Sequence, residues 1–169
     1  ALLSLDVTAG DSENFKMDQN SLQDIAKLNG VAKISPMVTV QGQMNVDEIA
    51  SELAVNFVDS EFFRLDGTVL TQGNFFSDEA GDLDKILVSA SALQLFNLKP
   101  EDVPSKKVNF TIFTTPANTG TDKIIKDSVS LDQSFSIAGI VNEEESNFVY
   151  MPFALSQKLN ISSFSKIKV

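Results

Sequence analysis

Short apolar runs with a two-residue period recur along this chain, and this pattern constrains its fold more than any other feature of the sequence. The clearest of these runs lie at residues 3–7, 53–58, 108–112 and 135–141. A two-residue period is that of a β-strand with one buried face. Apolar runs at residues 86–88 and 148–151 indicate further strands, and residues 161–169 indicate a last one. We therefore expect a sheet of many short strands.

Short helices are predicted between these strands, which makes the expected fold class α+β. Their starts are residues that commonly cap or open a helix: Asn20, Ser60, Ser89 or Ser91, and Pro152. Gly30 ends the first helix. Residues 31–44 predict two strand pieces, because Pro36 favours an edge position or a bulge. Residues 114–127 form a polar excursion that we expect to be a mobile loop.

The chain of 169 residues is strongly acidic, with 23 Asp and Glu against 13 Lys and Arg and a net charge of -10. The whole excess lies in residues 1–85, which contain 15 acidic and 5 basic residues, whereas the remaining residues contain 8 of each. Nucleic acids and anionic lipid surfaces require a positive field, so neither is an expected partner. The acidic half favours a cationic partner or substrate instead.

Two residue types that carry much hydrolytic and metal chemistry are absent, because the chain contains no His and no Cys. Their absence excludes Ser-His-Asp and Cys-His nucleophile pairs, the usual zinc sites and disulfides. The sequence also lacks a phosphate-binding glycine loop and a nucleophile elbow. It therefore predicts no catalytic residue, no cofactor and no enzymatic activity.

No segment of the sequence is apolar for long enough to span a membrane. The most apolar stretch, residues 86–96, is interrupted by Ser89, Ser91 and Gln94. It has about half of the roughly 20 residues that a spanning helix needs. The first residues contain neither an initiator Met nor a signal peptide. We therefore expect a soluble fragment excised from a longer protein.

An acidic loop is the one candidate for a metal site. Its carboxylates belong to Asp78, Glu79, Asp82 and Asp84 and would offer the oxygen ligands that Ca²⁺ prefers. Their spacing does not match that of an EF-hand, so a solvated loop is expected and no metal is predicted. The loop keeps open an alternative function, a secreted or surface-attached binding module such as a carbohydrate-binding or calcium-dependent adhesin.

The chain contains 13 Phe, including the two adjacent pairs Phe62-Phe63 and Phe75-Phe76. Clustered Phe residues most often fill a core, and that is the expected role of most of them. One of the two Phe-Phe pairs is nevertheless a candidate to line a groove.

Five stretches, in collinear order, resemble the MacB-like periplasmic core domain, the extracytoplasmic domain of FtsX-like ABC transporter permeases. They are residues 28–36 (LNGVAKISP), 53–63 (LAVNFVDSEFF), 70–76 (LTQGNFF), 86–96 (ILVSASALQLF), and 135–141 (FSIAGIV) followed by Tyr150-Met151-Pro152. The residues that carry the family pattern, each in a structural role, are Gly30, Val31, Pro36, Gly73, Phe76, Ser89, Gly139, Tyr150 and Pro152. The chain departs from the pattern at Asn74, where family members often have Arg.

The resemblance implies a fold of two subdomains. A porter-like α+β subdomain would comprise residues 1–80 and 161–169 and would be truncated at its C terminus. A smaller, mainly β (Sabre-like) subdomain would be inserted into it at residues 81–160. The resemblance also implies that the domain is noncatalytic, since ATP hydrolysis would belong to a separate nucleotide-binding domain or subunit.

The resemblance further implies a location and a set of partners. The domain would lie on the periplasmic or extracellular face, anchored to the cell membrane in the parent protein and paired with a second permease copy. Together with a cytoplasmic ATPase component, it would couple ATP-driven motion of the membrane helices to export, extraction or sensing of an envelope substrate. The identity of that substrate or partner protein does not follow from the sequence.

Overall fold

The computed structural model describes residues 3–11, 15–114, 127–161 and 163–169, and within these residues the fold is α+β. The strands are Asp6–Val7 (β1), Ser35–Val46 (β2), Ile49–Val58 (β3), Leu70–Gly73 (β4), Lys85–Ser89 (β5), Lys107–Thr114 (β6), Asp127–Ser130 (β7), Phe135–Val141 (β8), Phe148–Pro152 (β9) and Lys166–Lys168 (β10). The helices are Gln19–Ala26 (α1), Ser60–Asp66 (α2), Ala90–Leu95 (α3) and Phe153–Lys158 (α4). Short 3-10 turns occur at Ala80–Asp82 and Pro100–Ser105.

The strands form one sheet in the order β1-β10-β2-β3-β9-β5-β8-β6-β7, with β4 paired to β8. Because β2 also pairs with β6, the six strands β2, β3, β9, β5, β8 and β6 close into a ring. The start of β2 pairs with β10, and its second half pairs with β6. This one long strand therefore joins the closed ring to the short terminal strands β10 and β1.

The strand β2 is continuous over 12 residues, so the prediction of two separate pieces at residues 31–44 was wrong. Pro36 precedes the first residue that pairs with β3, and its partner across the sheet is Ile167 of the short strand β10. A proline is tolerated there because it lies near the strand start. Gly42 lies inside the strand, where a Cβ would lie 2.9 Å from the Val55 side chain, so glycine permits close packing where β6 joins.

The core lies on both faces of the sheet, as the buried residues of β5 show. Ile86 and Val88 face the larger cluster, whereas Leu87 between them faces a second cluster, and all three are fully buried. A strand that is buried on both faces has a continuous apolar sequence, and the strand predicted at residues 86–88 is confirmed. In the larger cluster Phe110 and Phe135 make an edge-to-face contact at 5.5 Å. Full burial of a Phe side chain stabilises a fold by roughly 2–3 kcal/mol.

The N-terminal region differs most from its sequence-based prediction. The pattern at residues 3–7 predicted a strand with one buried face, but Leu3 is 85% exposed, Leu5 is 62% exposed, and β1 has two residues. The first helix is capped by Asp18 rather than Asn20, because the Asp18 carboxylate accepts hydrogen bonds from the Asn20 and Ser21 amides. A capping carboxylate also interacts favourably with the helix dipole.

Most other predicted elements were confirmed, including the strands at 108–112, 135–141 and 148–151 and the helix that Pro152 opens. The strands β4 and β7 were not predicted. The centre of the predicted loop, residues 115–126, lies outside the described residues. The division into residues 1–80 plus 161–169 and residues 81–160 stays a prediction, and the closed ring takes strands from both parts.

Candidate functional site

The first and last strands of the described fold lie side by side. They pair antiparallel, with Asp6 opposite Lys168. The Leu5 amide donates to the Val169 carbonyl at 3.0 Å, and the Val169 amide donates to the Leu5 carbonyl at 2.9 Å. Residues 5 and 169 are therefore neighbours at one edge of the sheet.

A group of charged side chains, here called the ion cluster, ties this strand pair to helix α2. Lys168 is buried, with 7% of its surface exposed, and its Nζ lies 2.7 Å from Asp6 Oδ1 and 3.0 Å from Asp66 Oδ1. Lys166 Nζ lies 2.9 Å from the other Asp6 oxygen. The Lys168 ammonium also lies 5.8 Å from the centre of the Phe62 ring, within cation-π range. The ion cluster consists of Asp6, Asp66, Lys166 and Lys168.

The ion cluster favours its charged form. Burial by itself lowers the pKa of Lys168, but hydrogen bonds to Asp6 and Asp66 outweigh that effect and raise the pKa above its ordinary value. Hydrogen bonds from Lys168 and Lys166 lower the pKa of Asp6. Because each shift favours ionisation, the contact between Lys168 and Asp6 is a true ion pair at neutral pH.

Helix α2 is fixed at both of its ends. At its start, the Asp59 carboxylate accepts from the Phe62 amide at 3.1 Å and from the Ser35 hydroxyl of β2. Burial raises the pKa of Asp59. At its end, Gly67 adopts a left-handed conformation with φ 71° that closes the helix, and Asp66 holds Lys168. The helix is thus attached to β2 at one end and to β10 at the other.

The inner face of α2 carries an aromatic cluster centred on Phe63. Its ring centre lies 4.8 Å from that of Phe75 in a stacked arrangement, 5.2 Å from Phe76 and 5.5 Å from Tyr150. Phe76 and Tyr150 are buried, and burial raises the pKa of the Tyr150 phenol, which therefore stays neutral. Two of the residues that carried the family pattern, Phe76 and Tyr150, thus both contact Phe63.

A cavity of about 360 Å³, here called the aromatic groove, opens beside this cluster. Its lining residues are Ser60, Phe63, Arg64, Gly67, Thr68, Phe75 and Phe76. Phe75 stacks on Phe63 and is still 44% exposed. The prediction that a Phe-Phe pair lines a groove is therefore confirmed for Phe75-Phe76. A second cavity of about 480 Å³, between α1 and α4, has a mixed lining in which four of seven residues are polar.

The segment that presents Phe75 is positioned by two glycines of the family pattern. Gly73 has φ 83°, and a Cβ there would lie 2.1 Å from the Ala138 carbonyl oxygen. A Cβ on Gly139, its partner in β8, would lie 3.1 Å from the Gln72 carbonyl oxygen. The close approach of β4 and β8 therefore requires glycine at position 73 and leaves little room for a side chain at position 139.

The acidic loop forms local contacts and brings no metal ligands together. Asp78 accepts from the Ser60 amide and hydroxyl at 2.8 and 2.6 Å, which links the loop to α2. Asp82 accepts from the Ser77 amide and hydroxyl, and these bonds lower its pKa to about 2. Glu79 and Asp84 are exposed. Over the described residues, no three or more Asp and Glu side chains are placed to hold a metal ion.

Ser89 fixes the start of β9. It is fully buried, lies 3.2 Å from the Ser91 hydroxyl and accepts from the Phe148 amide at 3.1 Å. Ser91 donates to the Ser146 carbonyl at 2.6 Å. These serines therefore bond to the turn before β9, and Ser89 makes no side-chain bond that caps α3.

The remaining pattern residues occupy strand ends and a turn. Pro152 ends β9 opposite Val58, and Pro36 is paired with β10. Gly30 has φ 92°, and the Val31 amide next to it donates to the Leu28 carbonyl at 3.2 Å. None of these lines the aromatic groove. Sequence reasoning did not single out Asp6, Asp59, Asp66 or Lys168.

Similarity to solved structures identifies the fold. The chain is similar to the extracellular domain of the noncanonic ABC-type transporter YknZ from Gram-positive bacteria, with 15% identity, a TM-score of 0.64, and coverage of 91% of this chain and 72% of that one. It is similar to the periplasmic region of MacB from Actinobacillus actinomycetemcomitans, with 15% identity, a TM-score of 0.65, and coverage of 94% and 67%. A domain assigned to a permease protein from Porphyromonas gingivalis gives 17% identity, a TM-score of 0.57, and coverage of 90% and 67%.

The family is identified by a family model rather than by a close relative. No curated protein gives a significant match. Over the described ranges, no helix is both long and apolar enough to cross a bilayer. The model of the MacB-like periplasmic core domain matches residues 3–168. The chain therefore belongs to the MacB-like periplasmic core domain family and is an extracytoplasmic domain of a MacB- or FtsX-like ABC transporter permease.

Proposed function

We propose that this domain transmits ATP-driven motion of the permease's membrane helices to export, extraction or sensing of an envelope substrate. The ATP would be hydrolysed by a cytoplasmic ATPase component, and the domain would act beside a second permease copy. The observation that carries the proposal is the match of the MacB-like periplasmic core domain over residues 3–168, and the pairing of β1 with β10 is the proposed point at which motion enters the domain. Motion delivered there would act on the domain at a single point.

Two routes lead from this point into the domain. Backbone pairing joins β10 to β2, the strand that belongs to the closed ring. The second route is the contact of Lys168 with Asp66, which joins β10 to the end of α2. The Lys168 ammonium is buried and lies 3.0 Å from the Asp66 carboxylate, which is 32% exposed, so displacement of β10 would pull on the end of α2.

Helix α2 is suited to move as a unit. Asp59 caps its start and Asp66 holds its end, so both ends are attached to strands. Its residues Phe63 and Arg64 form one wall of the aromatic groove. Motion of α2 would therefore change the shape of the groove, which makes the groove the output side of the proposed transmission.

Hydrogen exchange in the full-length permease, assembled with its ATPase, tests this proposal. Exchange at β10 and α2 is expected to differ between the nucleotide-free and ATP-bound states. Lys168→Met should abolish the difference at α2 and keep that at β10, because it breaks the second route and leaves the backbone pairing of β10 with β2 intact. Lys27→Met, which removes an exposed lysine paired with Asp24 at 3.6 Å, is the matched control and should behave as wild type. An α2 response that survives Lys168→Met would contradict the proposed route.

The alternative of a surface-attached adhesin receives no support from the site. Its calcium-dependent form needs converging carboxylates, and those of Asp78 and Asp82 instead bond to Ser60 and Ser77. Sugar-binding clefts are commonly lined by aromatic residues such as Trp and Tyr. This chain has no Trp, and its single Tyr, Tyr150, is buried.

A further inference from the structure

We propose that the aromatic groove is a docking site for a peptide segment that carries an aromatic side chain flanked by Lys or Arg. The inference deepens the proposed function and rests on it only for its biological meaning, since it names the chemistry of a partner for the surface that α2 forms. The binding itself can be measured without any transporter.

The size and lining of the groove fit one large side chain. Its volume of about 360 Å³ lies near the lower end for ligand pockets, which begin at roughly 300 Å³. Its lining includes Phe63, Phe75 and Phe76 together with Gly67, whose lack of a side chain lets a guest approach closely. An incoming aromatic ring would extend the stacked pair of Phe63 and Phe75.

Apolar surface at the groove is exposed rather than covered. Phe75 is 44% exposed, although its ring is stacked on Phe63. Val69, which follows the lining residue Thr68 in the chain, is 61% exposed. Covering these side chains with an apolar guest would remove their surface from water, which is the main driving force for association.

Among the described residues, no carboxylate lines the groove, but two carboxylates bond to residues that do, and they favour a cationic guest. Asp66 accepts from the lining Thr68 hydroxyl at 2.7 Å, and Asp78 accepts from the lining Ser60 hydroxyl at 2.6 Å. Arg64 is the one basic residue in the lining, and its guanidinium lies 3.6 Å from the Glu61 carboxylate.

The local excess of negative charge persists when the nearby cations are counted. Lys168 offsets part of the charge of Asp66, and Arg64 offsets part of that of Glu61. Asp78 and the half-buried Asp59, which line the neighbouring cavity beside the start of α2, then remain. Burial is the main cause of the raised pKa of Asp59, and the nearby charges of Asp78 and Glu61 raise it further. A negative potential of this kind attracts a cationic guest and repels an acidic one.

The probe is the peptide acetyl-Lys-Trp-Lys-amide, because the chain contains no Trp and the Trp fluorescence therefore comes from the peptide alone. Titration with the 169-residue chain should shift the Trp emission to shorter wavelength and saturate. Added salt should weaken binding, since exposed charges are screened. The charge-reversed peptide acetyl-Glu-Trp-Glu-amide should bind several-fold more weakly.

Phe75→Ser is the test substitution, because Phe75 is exposed and its loss leaves the buried rings in place. It should weaken binding of the Lys-Trp-Lys peptide by about 3- to 10-fold, the range for loss of one aromatic contact. Phe15→Ser is the matched control, since Phe15 is a 53% exposed Phe that does not line the groove. Both variants should keep the wild-type circular dichroism spectrum.

Two results would overturn the inference. One is an affinity that Phe75→Ser and Phe15→Ser change equally, which would place the peptide elsewhere or show no specific binding. The other is equal binding of the Lys- and Glu-flanked peptides, which would show that the groove does not select a cationic partner. Either result leaves the exchange experiment on α2 unaffected, because the titration contains neither nucleotide nor membrane, so the two proposals fail separately.

Discussion

Lys168 is a buried cation whose charge is matched by carboxylates from two distant parts of the chain. Asp6 comes from the N-terminal strand and Asp66 from the end of α2. The two carboxylates are 40% and 32% exposed, so water offsets part of the loss when Lys168 is removed. The ion cluster therefore stabilises one arrangement of β1, β10 and α2.

Lys168→Met should lower the free energy of unfolding by about 1 kcal/mol at neutral pH, less than the roughly 1.5–3 kcal/mol of a hydrogen bond to a charged group, because both partner carboxylates are partly exposed. Lys27→Met, which breaks the exposed contact with Asp24, should lower it by less than about 0.5 kcal/mol. Urea denaturation of the two variants and the wild type measures both values.

The difference in unfolding free energy between wild type and Lys168→Met should depend on pH. The pKa of Asp6 is lowered in the folded state, so its stabilising contribution is present above its ordinary pKa of 3.8 and is lost as the pH falls through the lower folded value. The difference between wild type and Lys168→Met should therefore shrink below about pH 4. A difference that stays constant down to about pH 2 would show that Asp6 does not form the proposed ion pair.

Residues of the ion cluster could not be found from the sequence, for a physical reason. Asp6 and Lys168 are 162 positions apart, and their contact exists because β1 pairs with β10. Period-two alternation shows that Lys166 and Lys168 share a face of their strand, but it does not identify the strand opposite. The groove was partly predictable, because paired Phe residues in a largely polar setting suggest both burial and exposure.

For helices and strands, the sequence-based predictions were right where neighbouring residues alone indicate the structure. The strand β5 was predicted because three consecutive apolar residues are buried on both faces. The length of β2 was not predicted, because Pro and Gly residues such as Pro36 and Gly42 often interrupt strands. Pairing with β10, β3 and β6 shows why neither residue ends this strand. The exposed Leu3 and Leu5 show that alternation alone does not ensure that a face is covered.

The junction of β4 and β8 gives a prediction about glycine. Gly73→Ala should destabilise the fold by about 2–4 kcal/mol, because the new Cβ would clash with the Ala138 carbonyl and φ is positive. Gly67→Ala is the matched control, since Gly67 also has a positive φ but a Cβ there would meet nothing within 4 Å. It should cost only about 1 kcal/mol.

Thermal or urea unfolding of the two glycine variants provides the comparison. Equal destabilisation would mean that the cost comes from backbone conformation alone and that close approach to β8 is not required. A larger loss in Gly73→Ala should be accompanied by weaker binding at the aromatic groove, because β4 leads directly to Phe75.

At the scale of the whole molecule, the closed ring and the paired terminal strands suit a domain that moves as one body. The ring strands β2, β3, β9, β5, β8 and β6 pair without a free edge between them, which resists internal bending. The β1-β10 pair extends from β2 and is the place where, in the proposed function, motion enters the domain. Motion of such a domain should therefore be visible at positions far from that place.

The most direct measurement uses a spin label in the full-length permease assembled with its ATPase in lipid. The chain contains no Cys, so Glu144→Cys provides one label site in this domain, in the exposed turn before β9, once any cysteines elsewhere in the permease are replaced. Double electron–electron resonance measures the distance between the labels of two permease copies. The distance distributions are expected to differ between the nucleotide-free and ATP-bound states. Identical distributions in both states, with ATP hydrolysis intact, would contradict a role in transmitting ATP-driven motion.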